Sequence, residues 1–251
     1  MTGREAFERL RGLGFREADA SLLADHFEDA DRRGRPSHGV MRIDWLALLP
    51  DLDPVAEPQR TVSEPGFERW RGGGALGYLV LGRIVEAQLA DPPEHARVVV
   101  ASDCFPTGML GYWVRRLAEG GLAAALTATS PPRLAAPEGG PALAGTNPLA
   151  IGIPSSDGRP LVTDVSMGKV TWGDVLLGEA QKEELIPFGG DQAHKAFALA
   201  LGLHLLVEAL AGSEGFGALL LVARPEADPV PGLRERAGDV RLPGDRGSSV
   251  S

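Results

Sequence analysis

The segment from residue 97 to residue 128 restricts the fold more than any other part of the chain. RVVVA (97–101) is a short apolar run rich in β-branched residues and reads as a buried strand. GMLGYWVRRLAE (108–119) follows with helical periodicity, and LAAALTA (122–128) is a second apolar run. The three make a strand–helix–strand unit, which predicts an α/β fold with helices covering the faces of a sheet. No GxGxxG follows a strand anywhere in the chain, so a Rossmann-type dinucleotide turn is not expected.

The flanking segments extend this pattern. Glu5 to Leu13 and Arg16 to Arg33 are expected as two helices broken at Gly14, with Ala20, Leu23, Phe27 and Ala30 on one apolar stripe. His26 has acidic neighbours and is assigned to the surface. Val40, Ile43, Leu46 and Leu49 continue a helical pattern until Pro50. Residues 50–75 read as irregular, with a short strand around Thr61–Val62. A helix is expected over Leu76 to Leu89, and strands over Pro148–Ile153 and Leu161–Val165. Residues 130–147 form a turn-rich loop longer than most connections, which points to function. Lys195 to Leu210 is the strongest helical pattern, with Phe197, Leu201, Leu205 and Val207 assigned to the core, and His204 read as a satisfied core histidine. Phe216 to Ala223 is a final strand, and the tail from Arg224 reads as extended or partly disordered, draping over another subunit.

The chain has 251 residues and a formal net charge of −9, with no run of five like charges. That composition argues against nucleic acid and against an anionic membrane surface. Cys104 is the lone cysteine, so no internal disulfide forms, and nothing at the N-terminus resembles a targeting signal. The default is a cytoplasmic enzyme. The histidines have no metal-ligand spacing, and neither a GxSxG elbow nor a P-loop is present.

Candidate chemistry concentrates in ADRRGRPSHGVMRIDW (30–45). Ser37 and His38 sit at a bend, and Arg42 follows His38 by four, which places the two side by side if the chain is helical from Gly39. An imidazole for proton transfer beside a fixed guanidinium suits a small carboxylate substrate.

The segments DRRGRPSHGVMRI (31–43), GMLGY (108–112), LAGTNPLAIGIP (143–154), TDVSMGKVTWG (163–173) and PFGGDQAHKAFALAL (187–201) together resemble the malate/L-lactate dehydrogenase family. That resemblance implies NADH or NADPH bound without a Rossmann fold, on a mixed α/β sheet with N-terminal helices. It also implies a homodimer with the site near the subunit interface. Two units are implied: residues 1–75 with 190–251 as a helical, substrate and dimerisation unit, and 76–189 as a mixed α/β unit that binds cofactor. By the same resemblance Ser37, His38 and Arg42 fall on the substrate cluster, and Gly145, Thr146 and Asn147 on the turn near nicotinamide and substrate. Asp164 and Lys195 fall on further conserved-pattern positions of the site, and His194 beside Lys195 is a second candidate for cofactor phosphate.

The chain also departs from the family pattern. The family's HFG histidine, read as a proton donor, falls on Pro106, so Asp103 and Cys104 are candidate replacements. The crossing from Gly173 to Pro187 is short, and KGYG has become KAFA. Three functions stay open. The first is an NAD(P)-dependent oxidoreductase of a small 2-oxo acid, 2-hydroxy acid or cyclic imino acid. The second is a redox-inactive homologue catalysing isomerisation, cyclisation or elimination. The third is a non-catalytic dimeric binding or scaffold protein.

Overall fold

The computed structural model describes residues 1–245; the last six residues of the tail expectation lie outside the described residues. Three helices open the chain: α1 (Gly3–Gly12), α2 (Glu17–Arg32) and the short α3 (Arg42–Leu46). Thr2 caps α1 in a capping box with Glu5, which satisfies two of the orphan amides at its start. A hairpin of β1 (Gln59–Glu64) and β2 (Phe67–Arg71) follows, then α4 (Gly77–Ala90), β3 (Ala96–Ser102), α5 (Leu110–Glu119) and β4 (Ala123–Ala128). After the long loop come β5 (Leu149–Ile153), β6 (Leu161–Val165), the short α6 (Trp172–Leu176), α7 (Ala193–Ala211), β7 (Ala218–Ala223) and α8 (Val230–Ala237).

One seven-stranded mixed sheet runs in the order β1-β2-β3-β7-β4-β5-β6. The strand–helix–strand unit is present as β3–α5–β4, but its strands are not neighbours. The apolar β7 inserts between them and pairs antiparallel with both, from Ala101↔Ala218 on one side to Ala123↔Ala223 on the other. Among the described residues, only β2 and β3 pair in parallel. Helices α4 and α5 pack under α2 on one face, where Phe27, Tyr78, Ile84, Trp113 and Leu126 belong to the main core. Helix α7 covers the other face against β3, β4 and β7. The sheet takes β1, β2 and β7 from the segments expected to form a separate helical unit, so a split at residues 75 and 190 does not follow the hydrogen-bonded sheet.

Three local expectations are corrected. Residues 50–75 are irregular only in part: the strand expected around Thr61–Val62 is β1, and FERWR adds an unexpected second strand whose Glu68 and Trp70 point into the core while Arg69 and Arg71 face solvent. The described tail is not extended throughout. It forms α8, and Arg234 ties that helix to Asp157 at 3.2 Å and to Asp245 at 2.7 Å within the same chain. In α7 the expected core face holds only in part. Val207 is buried and Leu201 packs against a small buried cluster, but Leu205 is 60% exposed, and Ala193, Ala196, Ala200 and Ala211 make up the rest of the buried face. Small residues let the helix approach the sheet closely, and a helix apolar on all sides gives periodicity no phase to report.

Candidate functional site

A cleft of about 1120 Å³ opens between the end of α2, the start of α5, the end of β6 and the 166–174 segment. The SHG segment forms one wall. Pro36 starts a 3-10 turn over Pro36–His38, and the Asp31 carboxylate at the end of α2 accepts the Val40 amide at 3.1 Å. Asp31 occupies the space a side chain at residue 39 would need, so Gly39 is required by close approach rather than by conformation. The expected longer helix is absent, as α3 begins only at Arg42. His38 and Arg42 still meet, because the Arg42 guanidinium folds back and its Nε donates to the Ser37 carbonyl at 2.7 Å.

The buried Ser37 places its Oγ 3.2 Å from His38 Nδ1. On the far side stands Asp174, a residue that motif spacing did not single out. Burial raises the Asp174 pKa, but hydrogen bonds from the Thr171 amide and the Ser37 side chain outweigh it and hold the carboxyl below its usual range. With the Ser37 hydroxyl given to Asp174, Nδ1 is assigned the ring proton and Nε2 keeps its lone pair. Burial first, and then the Arg42 charge, pull the His38 pKa down to about 4, against the opposing pull of Asp174. His38 is therefore a neutral imidazole at neutral pH.

Asp164, near the end of β6, lines the opposite wall, and its Oδ2 accepts the Gly111 amide at 2.7 Å in the first turn of α5. Water reaches it from the cleft. The surrounding protein still raises its pKa to about 6, against the pull of the Gly111 amide, Arg35 and Arg115. Thr146 also lines the cleft. Asn147 does not: it is fully buried, and its Nδ2 donates to the Ala200 carbonyl at 2.9 Å and lies 3.3 Å from His204 Nδ1. Gly145 packs against Ser130 and the Asn147 side chain. The turn therefore fastens the long loop to α7 through Asn147 and presents Thr146 to the cleft.

The remaining candidates fall elsewhere. His194 and Lys195 are exposed at the start of α7 and do not line the cleft. Cys104 is buried, with its Sγ 3.9 Å from the Gly77 carbonyl, and burial pushes the thiol well above its ordinary range. Asp103 accepts the Gly74 amide at 2.7 Å and lines a different, shallower depression. Neither candidate replacement reaches the cleft wall where Pro106 stands. His26, assigned to the surface from its acidic neighbours, is instead fully buried behind that wall. Its Nε2 accepts the Met109 amide at 3.2 Å. Gly108, with φ +70°, has no room for a side chain against His26 and Tyr78. Among the described residues no cluster of His, Cys, Asp and Glu is arranged to hold a metal ion.

Comparison with known proteins agrees with this architecture. The family described as malate/L-lactate dehydrogenase matches residues 4–186. The (2R)-3-sulfolactate dehydrogenase (NADP(+)) of Chromohalobacter salexigens is 32% identical over 183 residues, which is 72% of this chain and 55% of that protein. The Delta(1)-pyrroline-2-carboxylate/Delta(1)-piperideine-2-carboxylate reductase of Pseudomonas aeruginosa is 28% identical over 234 residues, covering 81% of this chain and 68% of the relative. With two archaeal malate dehydrogenases, of Pyrococcus horikoshii and Pyrococcus abyssi, the matched region spans 63% and 62% of the relative's length. A dehydrogenase from Sinorhizobium meliloti superposes with a TM-score of 0.78 at 26% identity, covering 100% of this chain and 88% of that one. The delta1-piperideine-2-carboxylate reductase from Pseudomonas syringae shares the fold at a TM-score of 0.81 and 22% identity, covering 98% and 91%. A family match over well more than half of its length, on the same mixed sheet, means that this chain belongs to the malate/L-lactate dehydrogenase family.

Proposed function

We propose that this protein is an NAD(P)-dependent oxidoreductase acting on a small 2-oxo acid, 2-hydroxy acid or cyclic imino acid. The observation that carries this reading is the meeting of the Asp174–Ser37–His38 chain, Arg42 and Asp164 in one cationic cleft. At about 1120 Å³ the cleft is larger than a small acid needs and reaches the upper end of pockets that take drug-sized ligands, roughly 300–1,000 Å³. Its size and its lining by arginines fit a dinucleotide beside a small acid, with Thr146 and the backbone around Gly108–Gly111 among the polar groups of its wall. When bound, NAD(P)H would supply the hydride in the reductive direction and NAD(P)+ would accept it in the oxidative one.

The chain's own residues handle the proton and the carboxylate. Arg42 holds the substrate carboxylate with a guanidinium already fixed by the Ser37 carbonyl. His38 Nε2, unprotonated at rest, takes the hydroxyl proton during oxidation; in reduction the same nitrogen passes on a proton that it first takes up from solvent, with Ser37 and Asp174 holding the ring in that tautomer. Asp164, whose pKa lies near 6, is the second proton-transfer group on the opposite wall.

Titration with NADH and NADPH, followed by nicotinamide fluorescence, is expected to show binding well below millimolar. Turnover of 2-oxo and imino acids is expected to fall at least tenfold in His38→Ala. Unchanged turnover would remove His38 from its role. Absence of cofactor binding would favour the cofactor-independent isomerase or lyase, a reading supported by Pro106 at the wall and by the distance of His194 and Lys195 from the cleft. The open cleft speaks against a purely structural scaffold.

The proposed assembly is a homodimer formed through α7. Leu199, Leu205, Leu206 and Leu210 are 51%, 60%, 46% and 37% exposed on this helix. The stretch Gly190–Ala211 is apolar enough by length and composition to cross a membrane, yet only 22% of its most apolar window is buried within one chain. Such a face needs a cover. Sedimentation equilibrium is expected to give twice the 26.4 kDa chain mass. The double variant Leu205→Glu, Leu206→Glu is expected to be monomeric; a wild-type monomer would overturn the assignment.

A further inference from the structure

Two guanidinium groups, those of Arg42 and Arg133, line the same cleft. Arg42 rests against the backbone of α6, where a Cβ at Gly173 would stand 2.7 Å from its Nη2. Its own ring partner is Trp45, 5.2 Å away. Arg133, from the long loop, lies over the ring of Trp172, 4.3 Å from its centroid. The two cations therefore bracket the Trp172–Gly173 step.

Neither has an ion-pair partner among the described residues. Arg133 otherwise reaches only the Pro131 carbonyl, at 3.5 Å. The nearest acid on α6, Asp174, is occupied by the Thr171 amide and the Ser37 hydroxyl. Lys182 adds a further cation 5.7 Å from the Trp172 centroid. Burial and then the Arg42 charge lower the Arg133 pKa, the signature of two like charges held close and partly desolvated. Stacking on Trp172 orients the Arg133 fork and lowers the entropy lost when it binds an anion. A monocarboxylate on Arg42 would leave that second fork unanswered.

We propose that Arg133, stacked on Trp172, forms a second anion subsite, so that the substrate carries a further acidic group, a carboxylate, sulfonate or phosphate, beyond the carboxylate held by Arg42. This rests on the Arg42 clamp of the proposed function, but not on hydride transfer. It also assigns a task to the 130–147 loop, which Asn147 anchors to α7.

Tryptophan fluorescence tests it on the full chain, with succinate and 3-sulfopropionate as dianionic probes and butyrate as the monoanion. Each is titrated with and without saturating NADPH. Wild type is expected to bind the dianions at least tenfold more tightly than butyrate. Arg133→Gln is expected to lose about tenfold for the dianions while butyrate changes less than twofold, with an unchanged thermal midpoint. Equal wild-type affinities, no binding of any probe, or equal losses for all three in the variant would overturn the proposal. So would a tenfold loss of NADPH affinity with succinate unaffected, which would hand Arg133 to a cofactor phosphate. Dianion selectivity that depends on Arg133 without any NADPH binding would uphold the subsite and sink the oxidoreductase reading.

Discussion

Replacing Glu68 by alanine is expected to lower the unfolding free energy by about 3–5 kcal/mol at neutral pH, the usual cost of breaking a buried ion pair from one side. Glu68 is 1% exposed near the start of β2. Its Oε2 accepts from Trp70 Nε1 at 2.9 Å and from Gln88 Nε2 at 3.0 Å, and its Oε1 lies 3.2 Å from Arg60 and 3.4 Å from Arg97. Arg97 is itself 7% exposed on β3 and donates to Gln88 at 2.8 Å. Without the carboxylate, the buried Arg97 guanidinium keeps only the exposed Asp91 as a counter-charge, at 3.4 Å, and the Trp70 and Gln88 donors lose their acceptor. Glu68→Gln keeps an acceptor for Trp70 and is expected to fall between wild type and alanine. Chemical denaturation at constant m-value measures both. A loss below about 1 kcal/mol in the alanine variant would show that water enters and replaces the carboxylate.

The second large effect is acid sensitivity centred on His26. Burial, and then the His38 charge, lower its pKa to about 3, and the Met109 amide donating to Nε2 requires the neutral ring. The unfolded chain binds a proton near pH 6.5 and the folded chain does not, so this contribution is complete above that value. It is lost as pH falls at about 1.4 kcal/mol per unit, about 2 kcal/mol by pH 5 and about 4 kcal/mol by pH 3. His38, lowered to about 4, acts in the same direction over a narrower window. Denaturation midpoints at pH 7 and pH 5 are expected to diverge in wild type and to converge partly in His26→Leu. An equal pH dependence in the two proteins would refute the assignment. His26→Leu also removes the acceptor for the Met109 amide, so a constant offset at both pH values is expected.

These two networks show where one-dimensional reading stopped. FERWR alternates correctly for a strand, but its inward residues are Glu68 and Trp70, and charge at inward positions disguises a strand as a loop. A buried carboxylate is tolerated only because Arg97 and Gln88 arrive from β3 and α4, which are distant in sequence. His26 was hidden in the same way. Helix α2 lies between α1 and the α4–α5 layer, so positions beside acidic residues are still enclosed, as Asp19 and Asp29 also are. Asp174 and Arg133 carry no motif. They join the cleft only because the short crossing from Gly173 to Pro187 and the long loop both fold over it.

What the residues determined alone was local. Apolar runs with strand or helix periodicity, the glycine at the SHG bend and the distributed family segments specify elements, fold class and the Ser37–His38–Arg42 wall. Close contact along the chain suffices for these, since Arg42 reaches the Ser37 carbonyl only five residues away. Tertiary structure decided the rest: β7 between β3 and β4, the outward leucines of α7, Asp164 opposite His38, Asn147 turned away from the cleft, and a second cation beside the first. Proton affinities and free charges depend on which distant groups exclude water from a site. In SHG that environment converts a basic bend into a neutral imidazole beside a fixed guanidinium, in a cleft that also carries the Asp164 carboxyl.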